Sequence, residues 1–259
     1  ERELDTPLFE RADRRLIPTR ECEVVVKYIE KIQSMCRRMS DDIELSKKNL
    51  EHLSVGITQS AMNIVLSGVI EKLSERTPPL QISVTTGTAS QLCEQLENYS
   101  IDIAVIEGSC STEGFSEVML DTDYLCVVVP PDSTYAARGM ITPAELMSEP
   151  LIMKPQDSGT RRLFSASLAG AGIPEEKFQM IMEVSSVDTI IRLVSGHYGL
   201  SVLSYKACGA AATAGKVATV PLQGISMTRT IKLVYRKKRD YRELLEAIQR
   251  SYDAAMRER

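Results

Sequence analysis

Apolar positions follow a heptad along residues 21–50, a stretch that contains neither Gly nor Pro. Nine positions spaced alternately by three and four residues hold eight apolar side chains, with Ser46 as the exception. The eight are Cys22, Val25, Ile29, Ile32, Cys36, Met39, Ile43 and Leu50. This pattern predicts one helix, about 45 Å long, on which these positions form a single apolar row, here called the seam. A partner helix is expected to bury the seam. The alternative is a long helix lying on its own domain.

After residue 52 the pattern changes to short apolar strands that alternate with helical spacing. Strands are predicted at residues 53–57, 81–85, 101–106, 124–129, 151–153, 179–184, 200–203 and 230–235. Helices are predicted at residues 60–75, 89–97, 159–169, 187–195 and 241–256, and another begins at Thr142-Pro143. This alternation predicts α/β units with largely parallel sheets, arranged as two lobes that separate near Pro130. A small ligand would bind at the carboxyl ends of strands or between the lobes.

The charge distribution divides the chain further. The net charge is −4 over 259 residues, but residues 51–228 carry 10 basic and 19 acidic side chains, whereas residues 229–259 carry 10 and 5. Residues 11–20 hold four Arg against one Asp. A basic end on an acidic body indicates a nucleic-acid-binding segment attached to a regulatory domain, although solvated faces would give the same counts.

No targeting or membrane segment is predicted. The longest uncharged run, residues 54–70, is interrupted by five polar side chains, and the first twenty residues are highly charged. A cytoplasmic protein without membrane contact is therefore expected. The six Cys include no C-x-x-C pair, so neither a zinc site nor a redox dithiol is indicated. Reduced thiols are expected, with a thiol redox sensor as the alternative.

Two turns that follow apolar strands could hold an anion. They are Thr58-Gln59-Ser60 and the stretch from Ser158 through Gly159 and Thr160 to Arg161-Arg162. Helix N-termini offer free N–H groups and a partial positive charge, and guanidinium groups bind carboxylates or sulfate. The same Ser and Thr residues could simply cap helices. Thr88 and Ser185 also precede predicted helices and share this ambiguity.

Catalytic and metal-binding constellations are not found. Only His52 and His197 are present, and neither has a second metal-type ligand at useful spacing. The H-E-x-x-H, G-x-S-x-G, G-x-G-x-x-G and phosphate-loop patterns are absent from the sequence. The protein is predicted to be no enzyme and to need no cofactor or metal.

Several motifs together resemble the LysR-type transcriptional regulators of bacteria. Residues 4–11, L-D-T-P-L-F-E-R, with Arg14-Arg15 and Pro18-Thr19 are similar to the family's wing signature, L-G-x-P-L-F-x-R followed by R-R and L-T. Residues 53–56 and 101–105 are similar to the L-x-I-G and L-D-L-x-L strands. Residues 158–161, S-G-T-R, are similar to a loop found in a subset of the family, and residues 196–200, G-H-Y-G-L, stand in place of its G-x-G-[IL] motif. Asp5 and Glu21-Cys22 depart from the family pattern, and no stretch matches its recognition helix.

The resemblance implies an α/β fold. A two-lobed effector domain, similar to type 2 periplasmic binding proteins, would follow a long linker helix and the remnant of a winged helix-turn-helix. Residues 1–20 would be the wing and residues 21–50 the linker and dimerisation helix. Lobe I would comprise residues 51–125 and 230–259, and lobe II residues 126–229, with crossing strands near Cys126 and Leu233.

The resemblance also implies a function. The protein would bind promoter DNA as a homodimer or homotetramer, with Arg11, Arg14 and Arg15 on the DNA backbone, and would sense a small anionic effector between its lobes. By family position, the effector would contact Thr58, Gln59, Ser60, Thr88, Ser158, Gly159, Thr160, Arg161 and Ser185. The alternative is a solute-binding receptor with the same two-lobed fold and no DNA-binding activity.

Overall fold

A two-stranded hairpin precedes a long helix at the start of the chain. In the computed structural model, which describes residues 1–12, 15–48, 50–58, 61–62, 80–108, 110, 114–237 and 246, strand β1 (Phe9–Ala12) pairs antiparallel with β2 (Arg15–Pro18). Helix α1 (Arg20–Lys47) begins after Thr19, whose hydroxyl accepts a hydrogen bond from the backbone N–H of Cys22 at 3.1 Å. Thr19 is therefore the N-cap residue of α1, a position at which Thr is favoured.

The predicted helix over residues 21–50 is confirmed as α1, but its seam is largely uncovered within the chain. Ile32 and Met39 are each 58% exposed, and Ile43 is 50% exposed. Cys22 is the exception, since it is buried against its own chain. Burial of the seam by a partner helix stays a prediction.

A parallel group of strands forms the first part of the body. It contains β3 (Glu51–Thr58), β4 (Leu80–Gly87) and β5 (Ile103–Glu107), with β3 in the middle. Helix α2 (Ala89–Glu97) packs on this group, and Gly56 permits its close approach. A Cβ atom at Gly56 would lie 2.6 Å from Ile101 Cδ1 and 2.7 Å from Leu92 Cδ2.

Two long strands link this group to the rest of the body. Strand β6 (Phe115–Val129) pairs antiparallel with the last strand, β11 (Thr228–Arg236), and β11 pairs antiparallel with β5. The expectation of largely parallel sheets was therefore wrong for this part of the fold. Chain reversal at β6 and β11 was not visible in the alternation of strands and helices, because that pattern gives element order and not direction.

The second part of the body is built on the end of β6. Residues 125–129 of β6 pair antiparallel with β9 (Ser201–Ser204) and β10 (Ala218–Val220). Strands β7 (Pro150–Met153) and β8 (Gln179–Glu183) form a separate parallel pair. The helices are α3 (Thr134–Arg138), α4 (Pro143–Ser148), α5 (Gly159–Gly170), α6 (Val187–Ser195) and α7 (Tyr205–Thr213), with a 3-10 turn at Glu175–Lys177.

The apolar core is divided between the two parts. In the first part, β5 and β11 bury apolar side chains on both faces, one of them under α2, and β3 buries Leu53, Val55 and Ile57 on the opposite face. In the second part, β6 sends Leu125, Val127 and Val129 into one cluster and Cys126 and Val128 into another. This alternation buries both faces of β6, as expected for a central strand.

Most predicted elements are confirmed within two residues. Helices at residues 89–97 and 187–195 and the capped start at Thr142-Pro143 match the structure. Helices α3 and α7, strand β10 and the first half of β6 were not predicted. The helices predicted at residues 60–75 and 241–256 lie outside the described residues, apart from residues 61–62 and 246.

Candidate functional site

A cavity of about 650 Å³ opens between the two parts of the body and α1. Its walls come from α1, α2, the segment after β5, the start of α5 and the start of β11. The charged side chains that line it are Lys27, Glu94, Glu97, Glu107, Arg162 and Arg229. A cavity of this size, bounded by several elements and lined with both polar and apolar atoms, has the dimensions of a small-molecule site.

A buried ionic network lies on one side of the cavity. Arg229 donates hydrogen bonds from Nε and Nη2 to Asp123 Oδ2, at 3.1 and 2.9 Å, and from Nη1 to Thr160 Oγ1 at 3.4 Å. Its Nη2 also lies 3.3 Å from Glu107 Oε1. The other carboxylate oxygen of Glu107, Oε2, accepts a hydrogen bond from Thr58 Oγ1 at 2.5 Å.

The pairing of three strands brings the charged side chains of this network together. Arg229 lies directly opposite Asp123 in the antiparallel register of β11 and β6. Glu107 is the last residue of the buried strand β5, which pairs with β11. Two carboxylates therefore face one guanidinium, and all three are almost fully shielded from solvent. Paired and hydrogen-bonded charges are the form in which burial of ions is tolerated.

A second buried cation lies nearby. Lys154, which follows β7, is 3% exposed, and its Nζ donates a hydrogen bond to the backbone carbonyl of Ser185. Burial lowers the pKa of the Lys154 ammonium, while the carboxylates of Glu107 and Asp157 act in the opposite direction. The influence of Glu107 indicates that Lys154 contributes to the electrostatics of the same region.

Three of the predicted effector residues lie at the cavity or in its network. Gly159 lines the cavity, and Thr58 and Thr160 bind Glu107 and Arg229. Ser158 and Thr88 act as helix caps, since their hydroxyls accept from the N–H groups of residues 161 and 91. Gln59 and Ser60 lie outside the described residues. Ser185 is exposed and contributes its carbonyl to Lys154.

The guanidinium of Arg161 is not placed at the cavity. Its Nε donates to the Glu175 carboxylate, its Nη2 contacts Met180 Sδ, and the side chain is buried. The neighbouring Arg162 is exposed and lines the cavity instead. Of the two adjacent arginines, the structure therefore places Arg162 at the cavity, and contact of Arg161 with an effector stays a prediction. Successive residues on a helix point about 100° apart, so adjacent arginines face different surroundings.

Two of the three predicted DNA-backbone residues lie on the hairpin. Arg11 on β1 and Arg15 on β2 are exposed, and Arg14 lies outside the described residues. Arg11 pairs in register with Leu16 across the hairpin. Exposed cations on a projecting hairpin are suited to phosphate contact.

The cysteines differ from the expected set of reduced thiols. Cys93 on α2 and Cys110 after β5 form a disulfide, with their Cα atoms 5.8 Å apart, and both line the cavity. The pair was missed because 17 residues separate the two cysteines, so sequence spacing gave no sign of their approach. The other four cysteines are free.

Several residues of the site were not predicted from the sequence. The network residues Glu107, Asp123 and Arg229 come from three strands, and Lys27 comes from α1. The available signal for Glu107 was a carboxylate at the end of an otherwise apolar strand, since such a charge requires a buried partner. Asp123 lies among the other acids in the first half of β6 and gave no such signal. Arg229 lies 106 positions from Asp123, so the identity of that partner depended on the topology.

Among the described residues, no helix is long and apolar enough to cross a membrane. The residues that the structure describes also contain no cluster of three or more His, Cys, Asp or Glu side chains that could hold a metal ion.

Comparison with known proteins identifies the fold. A "Probable RuBisCO transcriptional regulator" of Trichormus variabilis is 25% identical over 252 residues, which cover 95% of this chain and 74% of the relative. A full-length OxyR variant from Pseudomonas aeruginosa has a TM-score of 0.67 and 19% identity, covering 97% of this chain and 86% of that chain. The regulatory domain of Synechocystis PCC6803 CcmR, in complex with 2-PG, has a TM-score of 0.68 and 15% identity, covering 77% and 96%.

These likenesses confirm the two-lobed effector-domain fold. The model of the LysR substrate binding domain matches residues 47–255, which is well over half of the chain. The chain therefore belongs to the LysR family of transcriptional regulators and carries their effector-binding domain.

Proposed function

We propose that this regulator senses a small anionic metabolite in the cavity between its lobes and binds promoter DNA as a homodimer or homotetramer. We place lobe I at residues 51–125 and 230–259 and lobe II at residues 126–229. Residues 1–20 act as the wing of the DNA-binding domain, and residues 21–50 as the linker helix.

The cavity is the observation that carries the effector part of this proposal. Arg162 and Gly159 lie at the start of α5 on one side, and α2 lies on the other, so a bound molecule would contact both lobes. The helix N-terminus and Arg162 favour a negative group at this position. CcmR, which shares the fold, binds 2-PG, and Thr58, Thr160 and Gly159 are our proposed contacts or supports for the effector here.

The exposed seam of α1 supports assembly. A row of half-exposed apolar side chains along a 28-residue helix is costly for a monomer in water and is typical of a helix that pairs. Pairing would join two hairpins in one dimer, with Arg11, Arg14 and Arg15 directed to the DNA backbone. This feature favours a regulator over a solute receptor of the same fold.

A combined experiment tests the proposal. The full-length protein is mixed with DNA from upstream of its own gene, and retardation is measured between 50 and 200 mM salt, at about the range over which phosphate-dependent binding weakens strongly. Binding should weaken with salt and should shift when an effector from a thermal-shift screen of organic acids is added. A ligand at about 100 times its Kd would add about 2.7 kcal/mol of stability. No retardation at any salt concentration would contradict the DNA-binding part.

A further inference from the structure

We propose that Lys27 on the linker helix α1 binds the effector directly, so that α1 forms one wall of the effector site. This inference rests on the proposed function, because it assigns a new residue and a direct route of regulation to the same cavity.

Lys27 lines the cavity together with side chains from α2 and with Arg162 from α5. Both Lys27 and Arg162 are exposed, and neither has an ion pair or a side-chain hydrogen bond within the described part of the chain. By contrast, Arg229 is fully engaged with Asp123, Thr160 and Glu107. The two cations available to a bound anion are therefore on the linker helix and on α5.

The position of Lys27 on α1 leaves the seam free. Lys27 lies two residues after Val25 and two before Ile29, and at about 100° per residue it points away from both. The same helix can therefore pair with a partner through its seam and present Lys27 to the cavity of its own chain. Effector binding and helix pairing use different faces and do not compete.

The linker helix is attached to the sensor next to the cavity. The guanidinium of Arg38 binds the carboxylate of Asp102, a residue whose side chain is 1% exposed, and Ser34 Oγ lies 3.5 Å from Ser100 Oγ. Ser34 follows Lys27 by seven residues, so the two share one face of the helix. These contacts hold α1 along the end of α2 and keep Lys27 at the cavity wall.

The other charges at the cavity define the class of ligand. Glu94 and Glu97 on α2 line the cavity with Glu107, so an anion without hydrogen-bond donors would face repulsion from these carboxylates. A hydroxy acid or amino acid would present its carboxylate to Lys27 and Arg162 and its donors to the acidic wall. Such a ligand would join the sensor to the linker helix and so strengthen the attachment of α1. Because this coupling is reciprocal, the attachment of α1 would strengthen effector binding by the same factor by which the effector strengthens the attachment.

The test uses the full-length protein with shikimate, L-malate, L-glutamate and sulfate as probes. Affinities are measured by calorimetry for wild type, Lys27→Gln, Arg162→Gln and the control Lys31→Gln, which removes the same charge from the same helix outside the cavity. The organic acid that binds wild type best should bind Lys27→Gln and Arg162→Gln tenfold or more weakly, as expected for loss of a charge-assisted hydrogen bond, and Lys31→Gln within about twofold. Sulfate should bind worse than that acid.

Amide hydrogen exchange provides a second measurement that does not depend on affinity alone. At saturating ligand, residues 20–34 should exchange more slowly in wild type and Lys31→Gln, whereas Lys27→Gln should show no such protection. Unchanged affinity in Lys27→Gln, with a loss in Arg162→Gln, would overturn this inference and leave the proposed function intact. An equal loss in Lys31→Gln would also overturn it, since it would indicate a general charge effect. If none of the four probes binds wild type, both the inference and the anionic effector are contradicted.

Discussion

At the scale of single residues, the structure concentrates charge in places where no solvent can neutralise it. The side chains of Arg229, Glu107 and Asp123 are 6%, 4% and 0% exposed. Each depends on the others, because an isolated ion in the protein interior has lost its hydration without gaining a partner. The network therefore fixes the relative positions of three strands next to the cavity.

Replacement of Arg229 by Met should destabilise the protein by about 3–5 kcal/mol, since it leaves two buried carboxylates without their guanidinium. The measurement is the free energy of unfolding in urea at neutral pH. Arg138→Met is the matched control, because Arg138 pairs with Glu145 at the surface and its loss should change stability little. Equal stability of the two variants would show that the network makes no net contribution.

Glu145 provides a prediction on pH. Hydrogen bonds from Arg138 and from the N–H and hydroxyl of Thr142 lower the pKa of its carboxyl to about 2. A carboxyl whose pKa is lowered by folding stabilises the folded state above its ordinary pKa of 4.5, and this contribution is lost as the pH falls towards about 2.

Carboxyl carbon NMR should therefore show Glu145 titrating near pH 2, well below its ordinary pKa of 4.5. In Arg138→Met, the pKa of Glu145 should move towards 4.5. An ordinary pKa in the wild type would contradict the hydrogen bonds of the capping box.

The sequence predicted which segment contributes to the site better than it predicted which way each side chain of that segment points. The segment from Ser158 to Arg162 was recognised as a candidate site, and the structure places Gly159 and Arg162 at the cavity. The sequence did not show which of the two arginines faces the cavity, because the burial of Arg161 depends on its contacts with Glu175 and Met180. Those two partners belong to elements whose docking on α5 no local pattern specifies.

At the scale of elements, strong local signals gave correct bounds. Helix α2 begins after Thr88 with a complete capping box, in which Gln91 Oε1 accepts a hydrogen bond from the Thr88 N–H at 2.9 Å. The first half of β6 was missed because it carries Glu117, Asp121 and Asp123 among its apolar positions. Helix α7 was missed because its Ala-rich sequence has little contrast between faces.

The disulfide ties two elements of the cavity wall, α2 and the segment after β5. Reduction should lower the free energy of unfolding by about 3 kcal/mol, the amount expected from closure of a loop of this length. Urea unfolding with and without dithiothreitol measures this change. Cys36→Ser, which alters an exposed free thiol, should respond to dithiothreitol as the wild type does.

The double variant Cys93→Ser/Cys110→Ser should resemble the reduced wild type and should not respond to dithiothreitol. A response in this variant would mean that another pair of cysteines is oxidised in solution. Equal stability of the oxidised and reduced wild type would contradict a stabilising role for the disulfide.

At the scale of the whole molecule, the linker helix connects an exposed hairpin to the two-lobed sensor. The seam was predicted from the heptad alone, and its exposure in the single chain is what that prediction requires. Its burial between two chains could not be derived from one chain, because the surface that covers it belongs to another molecule.

The variant Ile29→Lys/Ile32→Lys should be monomeric at concentrations where the wild type is an oligomer, since it places charge on the seam. Sedimentation velocity measures the assembly state. The urea unfolding of the sensor should be little affected, because both side chains are about half exposed in the single chain. The control Lys31→Glu changes charge beside the seam and should leave the oligomer intact, while an oligomeric double variant would contradict the role of α1 in pairing.

The position of β11 has a consequence for synthesis of the protein on the ribosome. This strand lies between β5 and β6 in the sheet, although it follows β6 by about a hundred residues. Until residues 228–236 leave the exit tunnel, β5 and the first half of β6 have open edges, which can pair with other chains. The segment from β7 to β10 can meanwhile fold on the end of β6. The nascent chain would therefore complete the second part of its body first, and the first part would need protection by chaperones until translation is nearly finished.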